Sequence, residues 1–264
     1  MKLEKAIGLY LLGALGQIIL VCLTVFFLRN NGYSMNYSSP LGLAAIALGG
    51  ISSALWGTII AIKYRNTNFK SVLFDFFRIR QNYKNYLLVL IFLFLDFANV
   101  IFGGRFIISV WYLPFLMFLK HIAFGGLEEI GWRYLFQPLL QERLNYVIST
   151  LITFFAWGFW HFLFFYIDGS LSAINVIPFL IGLLTNSFIL SVLYLRTKNL
   201  WICVMTHSLI NVLSQLAEGG NNYIEYVCKV LIIIFAIILS LKMNKKNFTI
   251  KNGKHNSEYL NIGK

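Results

Sequence analysis

The sequence predicts an all-α fold, a polytopic bundle of about eight transmembrane helices with both termini in the cytosol. Of the 264 residues, 58% are hydrophobic and only 12% are charged, and the mean hydropathy is +0.72. Soluble domains carry about 45–50% apolar and about 25% charged residues. The apolar segments are also long enough to cross a bilayer, which takes about 20 residues each. Because backbone groups in lipid must be paired internally, long apolar segments favour a helical bundle over a barrel.

These segments define the elements in chain order. The first follows Lys2 and Lys5, but it is too long for a signal peptide and lacks a clear cleavage signal, so we interpret it as a retained anchor. We expect one transmembrane domain, residues 1–242, whose functional core is about 110–216, followed by a basic, disordered cytosolic tail at 243–264. The predicted spans are about 6–28, 41–62, 86–104, 110–140, 146–167, 173–195, 200–217 and 222–242.

Positive charge predicts the orientation of the bundle. One set of connections contains only Arg29, Arg105 and Lys229. Lysines and arginines concentrate in cytosolic loops, so the opposite, basic set of connections and both termini are predicted to be cytosolic. That basic set comprises Lys2, Lys5, Lys63, Arg65, Lys70, Arg78, Arg80, Lys84, Arg143, Arg196, Lys198 and the lysines of the tail.

The formal net charge of +12 is explained by this bias and the lysine-rich tail, with the 63–84 loop suited to anionic lipid headgroups. No soluble module remains to carry a basic face, so nucleic-acid binding is not expected. The three cysteines show no paired spacing, which indicates neither a disulfide framework nor a cysteine metal site. Richness in Lys, Asn and Ile indicates a bacterium with an AT-rich genome, and hence the bacterial cytoplasmic membrane.

Charged residues in the fourth predicted span point to function, because charge at membrane depth is costly. Glu129 and Arg133 are four apart with the acid on the N-terminal side, the favoured spacing for a helical ion pair, and we expect them to be structural. Glu128 points about 100° away from Glu129 around a regular helix. No cation in its own helix neutralises it, so Glu128 is predicted to accept or donate a proton.

Glu128 and His161, which lies in the fifth span, are predicted to lie at the same depth in the membrane. Each lies 15 residues from the cytosolic turn between the two helices, or about 20 Å at roughly 1.5 Å per residue. The two side chains can therefore meet at one level. A lone histidine on an apolar face is usually a satisfied core residue, but the matching depth favours a functional role here. The residues around His161 are aromatic, namely Trp157, Phe159, Trp160, Phe162, Phe164 and Phe165.

His207 and Asn211 are four apart and therefore share one face of the seventh span. Beside a carboxylate and an imidazole, such a pair can hold a carbonyl oxygen while charge develops on it. A packing hydrogen bond between helices is the simpler interpretation. Glu128, His161 and His207 also form a set of ligands typical of catalytic zinc, so the cofactor is either absent or Zn²⁺.

Three motifs together resemble a known family: Glu128-Glu129-x-x-x-Arg133, an aromatic residue followed four positions later by His161, and His207-x-x-x-Asn211. In this order on successive membrane helices they resemble the CAAX-protease and bacteriocin-processing (abortive-infection) family of intramembrane endopeptidases. The resemblance covers about residues 110–216. It implies that Glu128 and His161 activate water while His207 and Asn211 form the oxyanion hole. The second motif usually begins with Phe, and here that position is Trp157.

The resulting expectation is hydrolysis of a peptide bond by activated water. The expected substrate is a small hydrophobic peptide or a membrane-protein tail entering from the bilayer or the cytosolic face, with a role in peptide maturation or bacteriocin immunity. One alternative is a non-catalytic scaffold or immunity protein that binds a partner. Another is a proton-coupled transporter, to which Asp96 adds an intramembrane acid, although no inverted repeat is visible. We expect Asp96 to pair with Lys120 or to pack beside Asn99. The sequence does not define the oligomeric state.

Overall fold

A computed structural model describes the backbone of residues 1–260 and the side chains of residues 1–243. The chain is 81% helical, which confirms the all-α prediction. The elements, in chain order, are α1 (Leu3–Asn30), α2 (Pro40–Gly50), α3 (Ser52–Arg65), α4 (Phe69–Phe76), α5 (Tyr83–Asp96), α6 (Ala98–Gly103), β1 (Gly104–Phe106), α7 (Leu113–His121), two π-helical segments π1 (Ile122–Gly126) and π2 (Ile130–Phe136), α8 (Gln137–Gln141), α9 (Tyr146–Asp168), a 3-10 turn (Leu171–Ala173), α10 (Val176–Thr197), α11 (Leu200–Leu216), β2 (Ala217–Gly219) and α12 (Asn222–Leu260).

Five of the predicted spans correspond to helices long and apolar enough to cross a membrane: Leu3–Asn30, Pro40–Arg65, Tyr146–Asp168, Val176–Thr197 and Asn222–Met243. The chain is therefore a multi-pass membrane protein. The other three predicted spans are helical but shorter or interrupted. The count of eight and the orientation of the termini remain predictions, as does the disordered tail at 243–264, most of which lies outside the residues whose side chains are described.

The third predicted span, 86–104, is not one helix. It is broken at Phe97 into α5 and α6, of 14 and 6 residues, and its last residue begins a strand. That strand, β1, pairs antiparallel with β2, with Gly104 opposite Gly219. An ion pair between Arg105 and Glu218 joins the same two strands. This short ladder connects the α6 end of the bundle to the end of α11.

Asparagine caps fix where two site-bearing helices begin. The Asn145 side chain accepts a hydrogen bond from the backbone N–H of Ile148 at the start of α9, and Asn199 does the same for Ile202 at the start of α11, both at 2.9 Å. Each cap satisfies one of the N–H groups that a helix start leaves unpaired. Gly169, with φ of +85°, ends α9 in the left-handed conformation that suits glycine.

Close helix packing brings the glutamate-bearing segment into the centre of the bundle. A Cβ atom at Gly57 on α3 would lie 2.7 Å from the Cα of Gly131 in π2, so the two backbones touch at this crossing. Glycine pairs permit this approach in membrane bundles. Around it, Trp132, Trp157 and Trp160 are almost completely buried. The polar motifs are therefore held in a tightly packed core.

Candidate active site

The helix that carries the two glutamates contains two wide turns. The backbone N–H of Leu127 donates to the carbonyl of Ile122, five residues back, at 3.1 Å. Glu128 and Glu129 follow this turn and precede a second π-helical segment, where sequence analysis expected regular helix. Both side chains are buried, Glu128 with 5% of its surface exposed and Glu129 with none. π-Helical turns are rare and are frequent at functional sites.

Glu128 lies at the base of a cavity. Its Oε2 accepts a hydrogen bond of 2.6 Å from the indole N–H of Trp157 on α9. The same oxygen is 3.9 Å from Nε2 of His161, one turn further along α9. The structure thus brings together the two residues predicted to activate water, and adds an indole that orients the carboxylate.

His161 is held in one tautomer by its own helix. Its Nδ1 lies 2.9 Å from the carbonyl oxygen of Trp157. Because a carbonyl oxygen only accepts, Nδ1 carries the proton and the neutral ring presents an Nε2 lone pair towards Glu128. Aromatic rings surround the imidazole, with centroids 5.0 to 5.7 Å away; they belong to Trp157, Trp160, Phe165 and Phe179.

Glu129 has a role that sequence analysis missed. It lies 3.6 Å from the guanidinium of Arg133, as the spacing predicted, but its other oxygen is 2.9 Å from Nδ1 of His207. Glu129 therefore orients the histidine as well as pairing with the arginine. The two residues are 78 positions apart, so helical spacing gave no signal for this contact. The Arg133 guanidinium also lies over the Trp157 ring, 4.3 Å from its centroid.

His207 and Asn211 direct their nitrogens at one point beside π1. A Cβ atom built on Gly125 would lie 2.6 Å from Asn211 Nδ2 and 3.2 Å from His207 Nε2. The absence of a side chain at Gly125 is what lets both nitrogens approach this backbone. A glycine pair such as Gly125–Gly126 is typical of close helix packing, but helical spacing does not indicate this connection to the site.

The cavity has a volume of about 280 Å³. Glu128 and His207 form its buried base, and Tyr37, Lys120 and Gln215 form its exposed rim. Its remaining lining residues are His121, Phe124, His161, Phe164, Phe165, Phe179 and Asn211. The pocket therefore combines convergent polar groups with aromatic walls, as small-molecule and peptide sites generally do.

The buried charges do not balance when both acids are ionised. Two carboxylates, Glu128 and Glu129, then face the single guanidinium of Arg133, which is completely buried. Since an unpaired buried charge is costly, this excess of negative charge dominates the electrostatics of the site.

Among residues 1–243, no group of three His, Cys, Asp or Glu side chains is arranged so as to hold a metal ion. The donor types of Glu128, His161 and His207 still suit zinc, and the zinc alternative stays a prediction. The buried thiol of Cys203 is 3.5 Å from the carbonyl of Leu190, and the Ser208 hydroxyl donates to the carbonyl of Val204. Neither group is directed at the cavity.

Of the two predictions for Asp96, pairing with Lys120 is wrong, whereas Asp96 and Asn99 do line one cavity. The Asp96 carboxylate is 3.5 Å from the ammonium of Lys229 on α12, not beside Lys120. Lys229 also lies 3.7 Å from Glu225, one turn before it. Since these residues are far apart in sequence, helical spacing could not identify the partner of Asp96.

The multi-pass helical bundle thus places a buried Glu–His pair and two convergent nitrogen groups around one cavity. Residues 109–213 match the family model described as Type II CAAX prenyl endopeptidase Rce1-like. The segment that carries every motif residue thus resembles the CAAX endopeptidase family, and the resemblance stated from the motifs is confirmed. This match supports a CAAX-type intramembrane endopeptidase in general terms. A comparison with curated proteins found no match to the chain.

Proposed function

We propose that the protein is an intramembrane endopeptidase that hydrolyses a peptide bond with a water activated by Glu128 and His161. The observation that carries the proposal is the 3.9 Å separation of Glu128 Oε2 and His161 Nε2 at the base of the cavity. One water molecule can hydrogen-bond to both atoms at once, at about 2.8 Å from each. Two acceptors then hold the water with a lone pair directed towards the pocket.

In this mechanism Glu128 removes a proton from the water while His161 holds it, and the hydroxide attacks the peptide carbonyl. The proton then passes to the leaving nitrogen, so that one water yields a carboxylate and an amine. The Trp157 indole fixes the rotamer of the general base. General-base catalysis of this kind contributes about 10²–10⁴-fold.

His207 and Asn211 are proposed to stabilise the oxyanion. Because His207 donates from Nδ1 to Glu129, its Nε2 carries a proton only in the imidazolium form. The cation and the Asn211 amide would then both donate to the developing oxyanion, and the loss of one such donor typically costs about 10²–10³-fold in kcat.

No covalent intermediate is part of the proposal. A serine or cysteine nucleophile needs a neighbouring base within hydrogen-bond reach. Cys203 and Ser208 instead contact carbonyl oxygens of their surroundings. Direct attack by water therefore fits these side chains better than an acyl-enzyme.

The proposed substrate is a small hydrophobic peptide or a membrane-protein tail. Four phenylalanines line the cavity and suit apolar side chains beside the cleaved bond: Phe124, Phe164, Phe165 and Phe179. Peptide maturation and bacteriocin immunity are the proposed cellular roles.

The test compares purified wild type with Glu128→Gln and His161→Ala on an internally quenched library of apolar peptides. We expect kcat to fall by about 10²–10⁴-fold for Glu128→Gln, as expected for removal of a general base. The matched control is Glu142→Gln, which changes an exposed glutamate that accepts from Tyr64 and should keep full activity. Unchanged cleavage by Glu128→Gln would overturn the mechanism.

Two further results separate the alternatives. Cleavage that persists in a rigorously metal-free preparation supports the glutamate-driven site, whereas loss that only Zn²⁺ restores supports a metalloprotease. A cellular phenotype that survives Glu128→Gln, with no cleavage by wild type, supports a scaffold or immunity protein.

A further inference from the structure

The two ends of the bundle differ in charge. One end joins Arg143 to Glu4 by an ion pair and Asn199 to the carbonyl of Arg78 at 3.2 Å. These residues lie in the lysine- and arginine-rich connections, so we call it the basic end. Cations in short loops mark the cytosolic side.

The opposite end contains the α1–α2 loop, the α9–α10 loop and the β1–β2 ladder. Here the Tyr37 hydroxyl donates to Asp168 at 3.4 Å, and Arg105 pairs with Glu218. Arg29 belongs to the same end, and its guanidinium donates to the carbonyls of Tyr166 and Ile167 at the end of α9. Its guanidinium thus serves as a helix C-terminal cap. We call this the sparse end.

The catalytic cavity opens at the sparse end. Exposure rises from 5% at Glu128 and 4% at His207 to 52% at Tyr37, which lies in the α1–α2 loop. Gln215 is the penultimate residue of α11, and Lys120, in the last turn of α7, lies eight residues before Glu128, on the side of the connection that begins with β1. The rim residues thus share the end of the bundle where α1, α9 and α11 finish.

On the basic side, the space beneath the site is filled. Gln137 donates to the Thr150 hydroxyl at 2.9 Å and accepts from Ser191 at 2.6 Å. This chain of buried groups joins α8, α9 and α10 one layer below Glu128. Leu135, Phe136 and Leu139 have no exposed surface in the same layer. Packed interiors of this kind leave no room for a peptide.

We infer that substrate enters the catalytic pocket from the non-cytosolic side of the membrane, past Tyr37, Lys120 and Gln215. The inference rests on the proposed function for the nature of the substrate, but the side of entry can be tested without it. The substrate class is then a peptide or membrane-protein segment exposed outside the cytosol. This differs from the sequence-based prediction, which was entry from the bilayer or the cytosolic face.

The rim also has a chemical preference. Lys120 is exposed, and no carboxylate of the described residues lies within ion-pair distance of its ammonium. Its neighbour His121 is hydrogen-bonded to Gln215 at 2.9 Å. A cation over an aromatic-walled cavity suits apolar segments that carry a carboxylate.

Cysteine labelling tests the side of entry. Tyr37→Cys places a thiol at the rim, and Tyr83→Cys is the matched control at the basic end, since both tyrosines are exposed, 52% and 70%. Intact cells that express the full chain are treated with a membrane-impermeant maleimide, with the wild type as the blank for its own cysteines. Tyr37→Cys should be labelled in intact cells, and Tyr83→Cys only after permeabilisation. Labelling of Tyr37→Cys only after permeabilisation, or of Tyr83→Cys in intact cells, would overturn the inference.

A second readout links entry to cleavage. A bulky maleimide on purified Tyr37→Cys should abolish cleavage of the quenched peptides, whereas the same adduct on Tyr83→Cys should not. Full activity of the Tyr37 adduct would overturn the route and favour entry from lipid, through the apolar cavity that shares Phe124 and Phe164 with the site. If the labelling is as expected but the wild type cleaves none of the peptides, the proposed function is refuted and the inferred side of entry is not.

Discussion

Gly125→Ala is the substitution that most directly tests the proposed oxyanion site. The added methyl carbon would lie 2.6 Å from Asn211 Nδ2 and 3.2 Å from His207 Nε2. Ordinary contact begins at 3.4 Å, so the amide must move by about 0.8 Å, the difference between 2.6 and 3.4 Å. The change therefore displaces both proposed donors without removing either.

The expected loss is about 10²-fold in kcat. A misplacement of about 1 Å in a catalytic group can cost that much, equivalent to about 2.7 kcal/mol of transition-state stabilisation. KM should change little, because an oxyanion donor acts mainly in the transition state. Folding should be only modestly affected, since overpacking costs about 1–3 kcal/mol while replacing glycine in a helix recovers up to about 1 kcal/mol.

The assay measures kcat and KM on a quenched peptide that wild type cleaves, with thermal unfolding in detergent as the check on folding. Gly182→Ala in α10 is the control, because nothing lies within 4 Å of a Cβ atom there. A folded Gly125→Ala protein with the kcat of wild type would refute the oxyanion role. An equal loss in Gly182→Ala would show that any added methyl group impairs the protein.

Three further predictions concern the buried polar network. Glu129→Gln should destabilise the fold by about 3–5 kcal/mol, because it leaves a buried guanidinium without its carboxylate; denaturant unfolding should show no comparable loss for Glu128→Gln. Trp157→Phe removes one charge-assisted hydrogen bond to Glu128, worth about 1.5 kcal/mol, so kcat should fall about tenfold, and an unchanged rate would remove the indole from the mechanism. Lys229→Met should lower the thermal unfolding temperature more than Asp96→Asn. The reason is that the lysine lies 3.5 and 3.7 Å from two carboxylates, whereas Asp96→Asn disrupts only one ion pair. A larger decrease for Asp96→Asn would contradict the pairing of Lys229 with both acids.

The membrane class and much of the bundle could be predicted because composition and long apolar segments decide the solvent in which a chain folds. The spacing of His207 and Asn211 placed them on one helix face. The equal distances of Glu128 and His161 from the turn between their helices predicted that they lie at one depth in the membrane. Tertiary contacts were not accessible in this way. The pairing of Glu129 with His207 joins distant helices, so no periodicity signals it.

Local backbone geometry was the other part that the sequence did not reveal. Wide turns and regular α-turns share a similar apolar pattern, so the 110–140 segment was expected to be uniform helix. The β1–β2 ladder was missed because Gly104 lies at the end of an apolar run that continues the third span. In both cases hydrogen bonding between particular backbone groups decides the structure, and hydropathy carries little information about it.

The wide turn at π1 determines how the side chains before it are oriented, around the helix axis, relative to the side chains after it. Eight residues of regular α-helix separate the directions of two side chains by roughly 80°, yet Lys120, Phe124 and Glu128 all line one cavity. A π-turn takes up an additional residue, which offsets that drift and keeps rim and base in one line. Deleting a single residue between Lys120 and Glu128 would rotate the rim by roughly 100° relative to the base. A chain that has regular α-helix in place of π1 would therefore need a one-residue gap there to be aligned with this one.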